Sequence, residues 1–447
     1  MLSRSLPRGL HDGLGTLLLV YFIAVGIFAG ACTTLFGPLQ AGAAFLLAGV
    51  LAFFVARMDL CVLFLLLVRS SLDFSTQYSL LSLAPAAKLN IAAALNLLLV
   101  SAGAVYLVIR GRAIWKLPGA RFFGAFLLVS LLTLTRTPSL PTALADWLRN
   151  LSCLILYAVV ATVFVDRRRV QTLISVFLFS AVVPVLVGFY QKAIGEGLFS
   201  FPAYSRIYGT FFHPHAYGLY LIFLVVLTYV MLHIKQRFLN RSGLLVLLLC
   251  CSLSLLWTYS RGAWIAVLVA AGLIALITRW RSSFAALGIV GLLAVLLPQI
   301  PQRFEDVTAP MSQGSFQWRV DLWKKMVSLI GSHSVLGYGL GSFYFYSEGW
   351  AAHNDYLRLV FETGILGLVL YLLSFFSIGF FALRQARRAT DPLSRVLSIG
   401  LVAILSGFLV ASAGENVVMM PVLQWYLWAL AGLVVSLGTG GGKVDQS

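Results

Sequence analysis

Residues 214–233 read PHAYGLYLIFLVVLTYVMLH. No Asp, Glu, Lys or Arg interrupts the stretch, and no polar stripe runs along it. A helix that is apolar on all sides is buried, either in a large interior or in a membrane. About 20 residues at 1.5 Å each span the roughly 30 Å hydrocarbon core of a bilayer. Similar runs recur at 14–36, 38–56, 59–73, 86–109, 120–135, 142–165, 170–190, 243–259, 262–278, 283–299, 356–383, 396–414 and 418–437. A single run of this kind fits a core helix, but so many in 447 residues do not.

The composition agrees. The chain is 60% hydrophobic and 11% charged, with a mean hydropathy of +0.94. A soluble domain carries roughly 25% charged residues, so lipid must be the main solvent. Backbone groups in hydrocarbon have to be bonded internally, which leaves helices or a closed barrel. The runs are continuous rather than alternating, which excludes a barrel. The expected fold is all-α: a polytopic membrane protein with 12–14 transmembrane helices.

The net charge of +17 would raise the question of nucleic acid in a soluble chain. Here its cause is topological, because cytoplasmic loops collect Lys and Arg. Arg110/Arg112/Lys116, Arg167/Arg168/Arg169, Lys235/Arg237/Arg241, Arg279/Arg281 and Arg384/Arg387/Arg388/Arg395 fall on alternate ends of successive helices. All of them fit in the cytoplasm together with both termini. Residues 1–11 precede the first run without a small-residue cleavage site, which predicts a retained helix. The five cysteines (Cys32, Cys61, Cys153, Cys250, Cys251) lie in apolar runs and form no disulfide or metal pattern.

This topology divides the chain into an N-terminal helix bundle at 1–300, a large outer loop at 301–352, C-terminal helices at 353–437 and a Gly-rich, disordered tail at 438–447. A shorter outer connection runs from 191 to 213. Long loops in compact proteins are functional or disordered. Within the large loop, Phe316, Val320, Trp323, Val327 and Ile330 share a helical face opposite Asp321, Lys324, Lys325 and Ser328. That pattern fits a helix at the membrane surface or one packed on the bundle.

Arg69, Lys88, Arg136, Arg149, Lys192, Arg206, Arg261, Arg303, Arg319, Lys324, Lys325 and Arg358 are not explained by cytoplasmic placement. An unpaired charge in a span costs at least about 2.5–3.5 kcal/mol. Cations gathered at the outer ends of helices suggest an anionic ligand, and the Arg fork suits phosphate. Arg261, in Tyr-Ser-Arg-Gly-Ala-Trp, and Arg206, in Tyr-Ser-Arg-Ile-Tyr-Gly, are the sharpest candidates. The blander readings are a snorkelling or turn-bound Arg261 and a solvated loop Arg206. Arg136 and Lys192 read first as structural.

His353 precedes a helix that begins near Asp355, and a histidine can take a proton from a hydroxyl. Its alternative is a hydrogen-bonded cap. Asp355, Arg358 and Glu362 share a face at i, i+3 and i+7, so both acids could neutralise Arg358. His213 and His215 are weak evidence for metal, since a structural zinc site needs four ligands. No Asp-x-Asp occurs, which removes support for a metal-held nucleotide sugar. Gly337-Tyr338-Gly339-Leu340-Gly341 lacks the Lys-Ser/Thr ending of a phosphate loop and reads as a flexible turn.

Three segments together resemble the signature of the O-antigen ligase and polymerase superfamily. They are Gln317-Trp318-Arg319 with Trp323, Gly337-Tyr338-Gly339-Leu340-Gly341-Ser342-Phe343, and His353-Asn354-Asp355-Tyr356-Leu357 with Glu362-Thr363-Gly364. Ser260-Arg261-Gly262-Ala263 and the stretch from Arg206 through Gly209 to His213-Pro214 also match that pattern. His215 departs from it, since members often carry Asn there.

The resemblance implies a bacterial inner-membrane glycosyltransferase of the GT-C type, metal-independent and inverting, with a periplasmic active site and no cofactor. Its donor would be a glycan on undecaprenyl diphosphate. A ligase would pass it to a hydroxyl of lipid A–core oligosaccharide, and a polymerase to another lipid-linked repeat. His353 would be the catalytic base, and Arg206 and Arg261 would bind the diphosphate. Arg136, Lys192, His215, Asp355, Tyr356, Arg358 and Glu362 are candidate substrate-binding or supporting residues. The alternatives are an O-antigen or exopolysaccharide polymerase and a flippase of lipid-linked sugars. A flippase should carry polar residues through mid-membrane, whereas these charges gather at helix ends.

Overall fold

The computed structural model describes residues 38–78, 81–84, 87–111, 114–200, 204–285 and 315–440. The expected span at 14–36, residues 286–299 of the expected span at 283–299, Arg112, Arg303 and residues 441–447 of the expected tail lie outside the described residues. The chain forms two compact units that divide between Met58 and Asp59. The first contributes helix α1 (Pro38–Ala56). All that follows concerns the second, which opens in α2 (Met58–Arg69).

After α2 come a small hairpin, β1 (Leu81–Ala84) and β2 (Ala87–Leu89), and then α3 (Ile91–Arg110), α4 (Ala120–Leu132) and α5 (Leu140–Val163). Next are α6 (Arg167–Phe179), α7 (Val182–Ile194), a second hairpin of β3 (Leu198–Ser200) and β4 (Tyr204–Arg206), α8 (Pro214–Met231), α9 (Arg241–Trp257) and α10 (Arg261–Thr278). The described chain resumes with α11 (Ser315–Ile330), a short α12 (Phe343–Tyr346), α13 (Asp355–Arg388), α14 (Pro392–Ala411) and α15 (Pro421–Gly440). Among the described residues, eight helices are long and apolar enough to cross a membrane. The protein is an all-α polytopic membrane protein. The 17-residue α9 and the 13-residue α4 fall short of a span by length, and α6 with α7 counts as one crossing. The stretch expected as helix to 135 turns 3-10 at Thr133–Arg136.

The all-round apolar α8 is the most enclosed span, 89% buried. Helix α15 packs along α5, and α14 lies against α8, α10 and α13. Tyr157, Phe123, Tyr371, Phe375 and Trp428 form a continuous aromatic core between α4, α5, α13 and α15. Within it, Trp425 Nε1 donates to Ser152 Oγ at 2.9 Å, which satisfies a polar atom that lipid could not. Val108, Leu132, Leu186 and Leu276 stay largely exposed, as lipid-facing side chains should.

Helix α13 is broken at Gly364, where φ is 69° and ψ −178°. The loop before it fills the break. Tyr338 N donates to Phe361 O at 2.8 Å, Gly339 N to Glu362 O at 3.0 Å, and Ile365 N to Ser334 O at 2.8 Å. A Cβ at Gly364 would collide with the Val335 carbonyl, and the left-handed φ favours glycine independently. Residues 337–341 are therefore not a flexible turn. They take over backbone groups that a broken helix leaves open, which is how such breaks survive at membrane depth.

Helix α11 also differs from expectation. Its inward face is Trp318, Leu322, Met326, Leu329 and Ile330, packed on Phe343, Ala352 and Phe361. Val327, expected on the apolar face, is 56% exposed. Phe361 of α13 is part of the cluster this stripe packs into, and Trp323 Nε1 donates to Ala352 O at 2.7 Å. The helix packs against α13.

Candidate functional site

Four element ends meet at one end of the bundle: the starts of α8, α10 and α13, and the link 412–420 from α14 to α15. Pro214 at the first position of α8 suits a helix start. Before it, His213 Nδ1 accepts from His215 N at 3.2 Å. The His213 and His215 rings stack at 4.7 Å. Ser260 holds the cap position of α10 but makes no side-chain cap bond. Its buried hydroxyl lies 2.8 Å from His215 Nδ1 instead.

Glu415, on the link, completes the arrangement. Its side chain is 4% exposed, and Oε1 lies 2.8 Å from His215 Nδ1. Its other oxygen, Oε2, is 3.8 Å from His353 Nδ1. A Cβ on Gly262, in the first turn of α10, would come within 3.2 Å of Glu415 Oε1. The carboxylate thus sits against a helix N-terminus, where negative charge is favoured. Burial opposes ionisation of Glu415. The charge and hydrogen bond of His215, with His353 and Arg319 nearby, nevertheless hold its carboxyl well below the usual range.

His353 is the most open member, with its side chain 25% exposed. Its φ is +46°, and that of Tyr259, just before Ser260, is +47°. Strained backbone of this kind clusters at functional sites. His353 is held by Asn416, whose Oδ1 accepts from His353 N at 2.8 Å. Asp355 ties the same link down: its N donates to Ser412 O at 2.8 Å, and its Oδ2 accepts from Val418 N at 3.1 Å. Tyr356 OH donates to Leu409 O.

Arg206 is buried at the end of β4, and its Nε donates to Thr258 O at 2.8 Å. Ile207 N donates to Trp257 O at 3.3 Å, so the second hairpin docks where α9 gives way to α10. Arg261 opens α10 directly after Ser260. From α11, Arg319 Nη1 donates to Gly414 O at 2.8 Å, beside Glu415. Burial, then the charges of His215 and Arg206, push His213 down to about 3; Glu415 opposes them and His353 adds to them.

The structure therefore brings His353, His215, Arg206 and the start of α10 with Arg261 into one neighbourhood. Asp355 braces the link beside it and Tyr356 the end of α14, and the remaining candidates make other contacts. Lys192 lies over the Trp257 ring at 5.9 Å, and Arg136 Nη1 donates to Gly337 O at 3.4 Å. Arg358 is enclosed by Glu362 at 3.0 Å and Asp146 at 2.8 Å, and Asp146 also pairs with Arg149. Asp355 is not one of the ion-pair partners of Arg358: its Oδ2 accepts from Val418 N on the link. Arg69, Lys324 and Lys325 also have carboxylate partners: Asp73, Asp321 and Glu348. Sequence reasoning missed Glu415, Asn416 and Ser260. Among the described residues, no three His, Cys, Asp or Glu side chains group to hold a metal.

Fold and site define a polytopic membrane protein with a histidine–carboxylate–arginine cluster at one end of its helix bundle. Residues 244–372 match the family model described as O-Antigen ligase. The match is consistent with the O-antigen ligase and polymerase superfamily, whose members transfer glycans. It includes Arg261, Arg319 and His353, whereas Arg206, His215 and Glu415 lie outside it. No curated protein matches the chain.

Proposed function

We propose that the chain is an O-antigen ligase of the bacterial inner membrane. It passes polysaccharide from undecaprenyl diphosphate to a hydroxyl of lipid A–core oligosaccharide at the periplasmic face. The observation that carries this reading is His353: a partly exposed imidazole beside a buried carboxylate, in the neighbourhood of Arg206 and Arg261.

In this reading the acceptor hydroxyl attacks the anomeric carbon of the first donor sugar. The bond from that carbon to the diphosphate oxygen breaks, and its electron pair leaves on the diphosphate. His353 takes the hydroxyl proton as the new bond forms. Arg206 and Arg261 meet the charge growing on the leaving group, where electrostatic stabilisation contributes most to rate. One displacement inverts the sugar configuration, and the arginines do the neutralising that a divalent cation would otherwise do. The anchoring of Arg206 Nε on Thr258 O supports this role, since a guanidinium held in place loses little entropy on binding phosphate.

The test is a lipopolysaccharide gel from a strain lacking the gene, with a parallel assay of undecaprenyl-linked glycan. Bare lipid A–core with long chains accumulating on the carrier supports the ligase. Core capped with a single repeat makes the protein a polymerase. An unchanged ladder sinks both.

A further inference from the structure

We infer that Glu415 is the positioning residue of the site, dividing one buried carboxylate between two imidazoles so that His353 can act as base. The inference rests on the reading of His353 as that base. Glu415 and Asn416 are consecutive on the link, and both engage His353. Asn416 Oδ1 accepts from its backbone N at 2.8 Å, which holds the strained +46° backbone. Glu415 Oε2 faces its ring at Nδ1, 3.8 Å away, with Asn416 Nδ2 at 3.5 Å from the same nitrogen. Among the described residues, Nε2 of His353 has no hydrogen-bond partner. A proton on Nδ1 faces the Glu415 carboxylate, which only accepts, and this tautomer leaves the Nε2 lone pair for a substrate hydroxyl.

His215 takes the nearer oxygen. Its Nδ1 lies 2.8 Å from both Glu415 Oε1 and Ser260 Oγ. A carboxylate only accepts, so His215 carries a proton on Nδ1 whether the ring is neutral or charged. That bond fixes the carboxylate plane and leaves Oε2 toward His353. When His353 Nε2 takes the acceptor proton, an imidazolium forms facing a charge already in place, as in other histidine sites oriented by a carboxylate. The proton returns to water after the glycan has left. The charged groups around Glu415 are His215 from α8, Arg319 from α11 and His353 before α13. The first turn of α10 lies against it at Gly262.

Glu415→Gln keeps the shape and an acceptor for His215 while removing the charge. The test uses the full chain in lipid, an undecaprenyl-diphosphate oligosaccharide as donor and purified lipid A–core as acceptor. The turnover of Glu415→Gln should fall about 10²-fold, less than the roughly 10⁴-fold seen where the carboxylate bonds its histidine directly. KM for the donor should hold. The acid limb of the pH–rate profile should move to lower pH, because a base without its neighbouring anion protonates less readily. Glu415→Asp should recover much of the rate. The double variant with His353→Ala should be no slower than His353→Ala alone.

An unmoved acid limb with a uniform loss at every pH would make Glu415 structural and overturn the inference. A multiplicative loss in the double variant would overturn it as well. If His353→Ala keeps full activity, the base reading falls and takes this inference with it. If His353→Ala is inactive and the Glu415→Gln limb stays put, only the inference falls.

Discussion

Two ionic clusters meet near the start of α13, and each is built on a buried carboxylate. Around Arg358 every charge is answered: Glu362 and Asp146 hold its guanidinium, Asp146 also holds Arg149, and Glu362 Oε1 accepts from Phe343 N at 3.3 Å. The cavity they border measures about 10 Å³, room for one water at most. Around Glu415 the bonding is left open. Its carboxylate serves two rings, yet neither His353 nor His215 has a partner at Nε2 among the described residues. A closed network has spent its valences on the fold. An open one keeps valences for something that arrives, and it costs stability to maintain. By that measure Arg358 ties helices together, and His353 is the residue proposed for chemistry.

The sharpest way to break this contrast is to remove one member of each cluster and measure rate per folded molecule. His353→Ala should reduce turnover by about 10²-fold or more, with insertion and thermal stability unchanged. A loss of folded protein at constant specific rate would make His353 a cap and erase the distinction. Asp146→Asn should do the reverse. It leaves two arginines facing a neutral amide in a buried setting, where breaking a pair costs roughly 3–5 kcal/mol. Melting temperature and yield should drop, and the folded fraction should turn over normally. A stable but inactive Asp146→Asn would put the Arg358 network in the active site.

The contrast was only half legible in the sequence. Lipid forces apolar runs into helices, so α3, α5, α8, α10 and α13 fall within a few residues of their expected bounds. Arg206, Arg261 and His353 stood out because cations and a histidine at helix ends needed an explanation. Glu415 did not, although it is the only acid between Asp391 and Asp445. That isolation was its one available signal, in a chain with 15 acidic residues against 32 basic. Its partners lie some 200 and 60 positions away, and no local pattern links them. The same distance hides the break in α13. Gly364 alone reads as a weak helix position, and the carbonyls and amides that fill it belong to residues 334–339. The Arg358 partners divide the same way: Glu362 is i+4 and was foreseen, while Asp146 comes from α5 and was not.

Acid should separate the clusters more gently than mutation. His213 has its pKa pushed from 6.5 to about 3, by burial first and then by His215 and Arg206. It is neutral in the folded protein, while the unfolded chain binds a proton near its ordinary value. Its contribution to stability is complete above pH 6.5 and is lost as pH falls toward about 3. Glu415 acts in the same direction in a lower window. Its folded pKa lies below the ordinary 4.5, so its contribution is present above that value and is lost beneath it. Melting temperature in detergent should therefore hold above pH 6.5 and then decline. His213→Asn keeps a capping acceptor at the start of α8 and removes the titration. It should flatten the decline between pH 6.5 and 4.5 while leaving the fall below 4.5 in place. The difference in slope between the two proteins isolates His213, which stacks on His215 in the open cluster. An equally steep decline in His213→Asn would mean that His213 is as easily protonated in the folded protein as out of it, and that the cluster is wetter than its packing indicates.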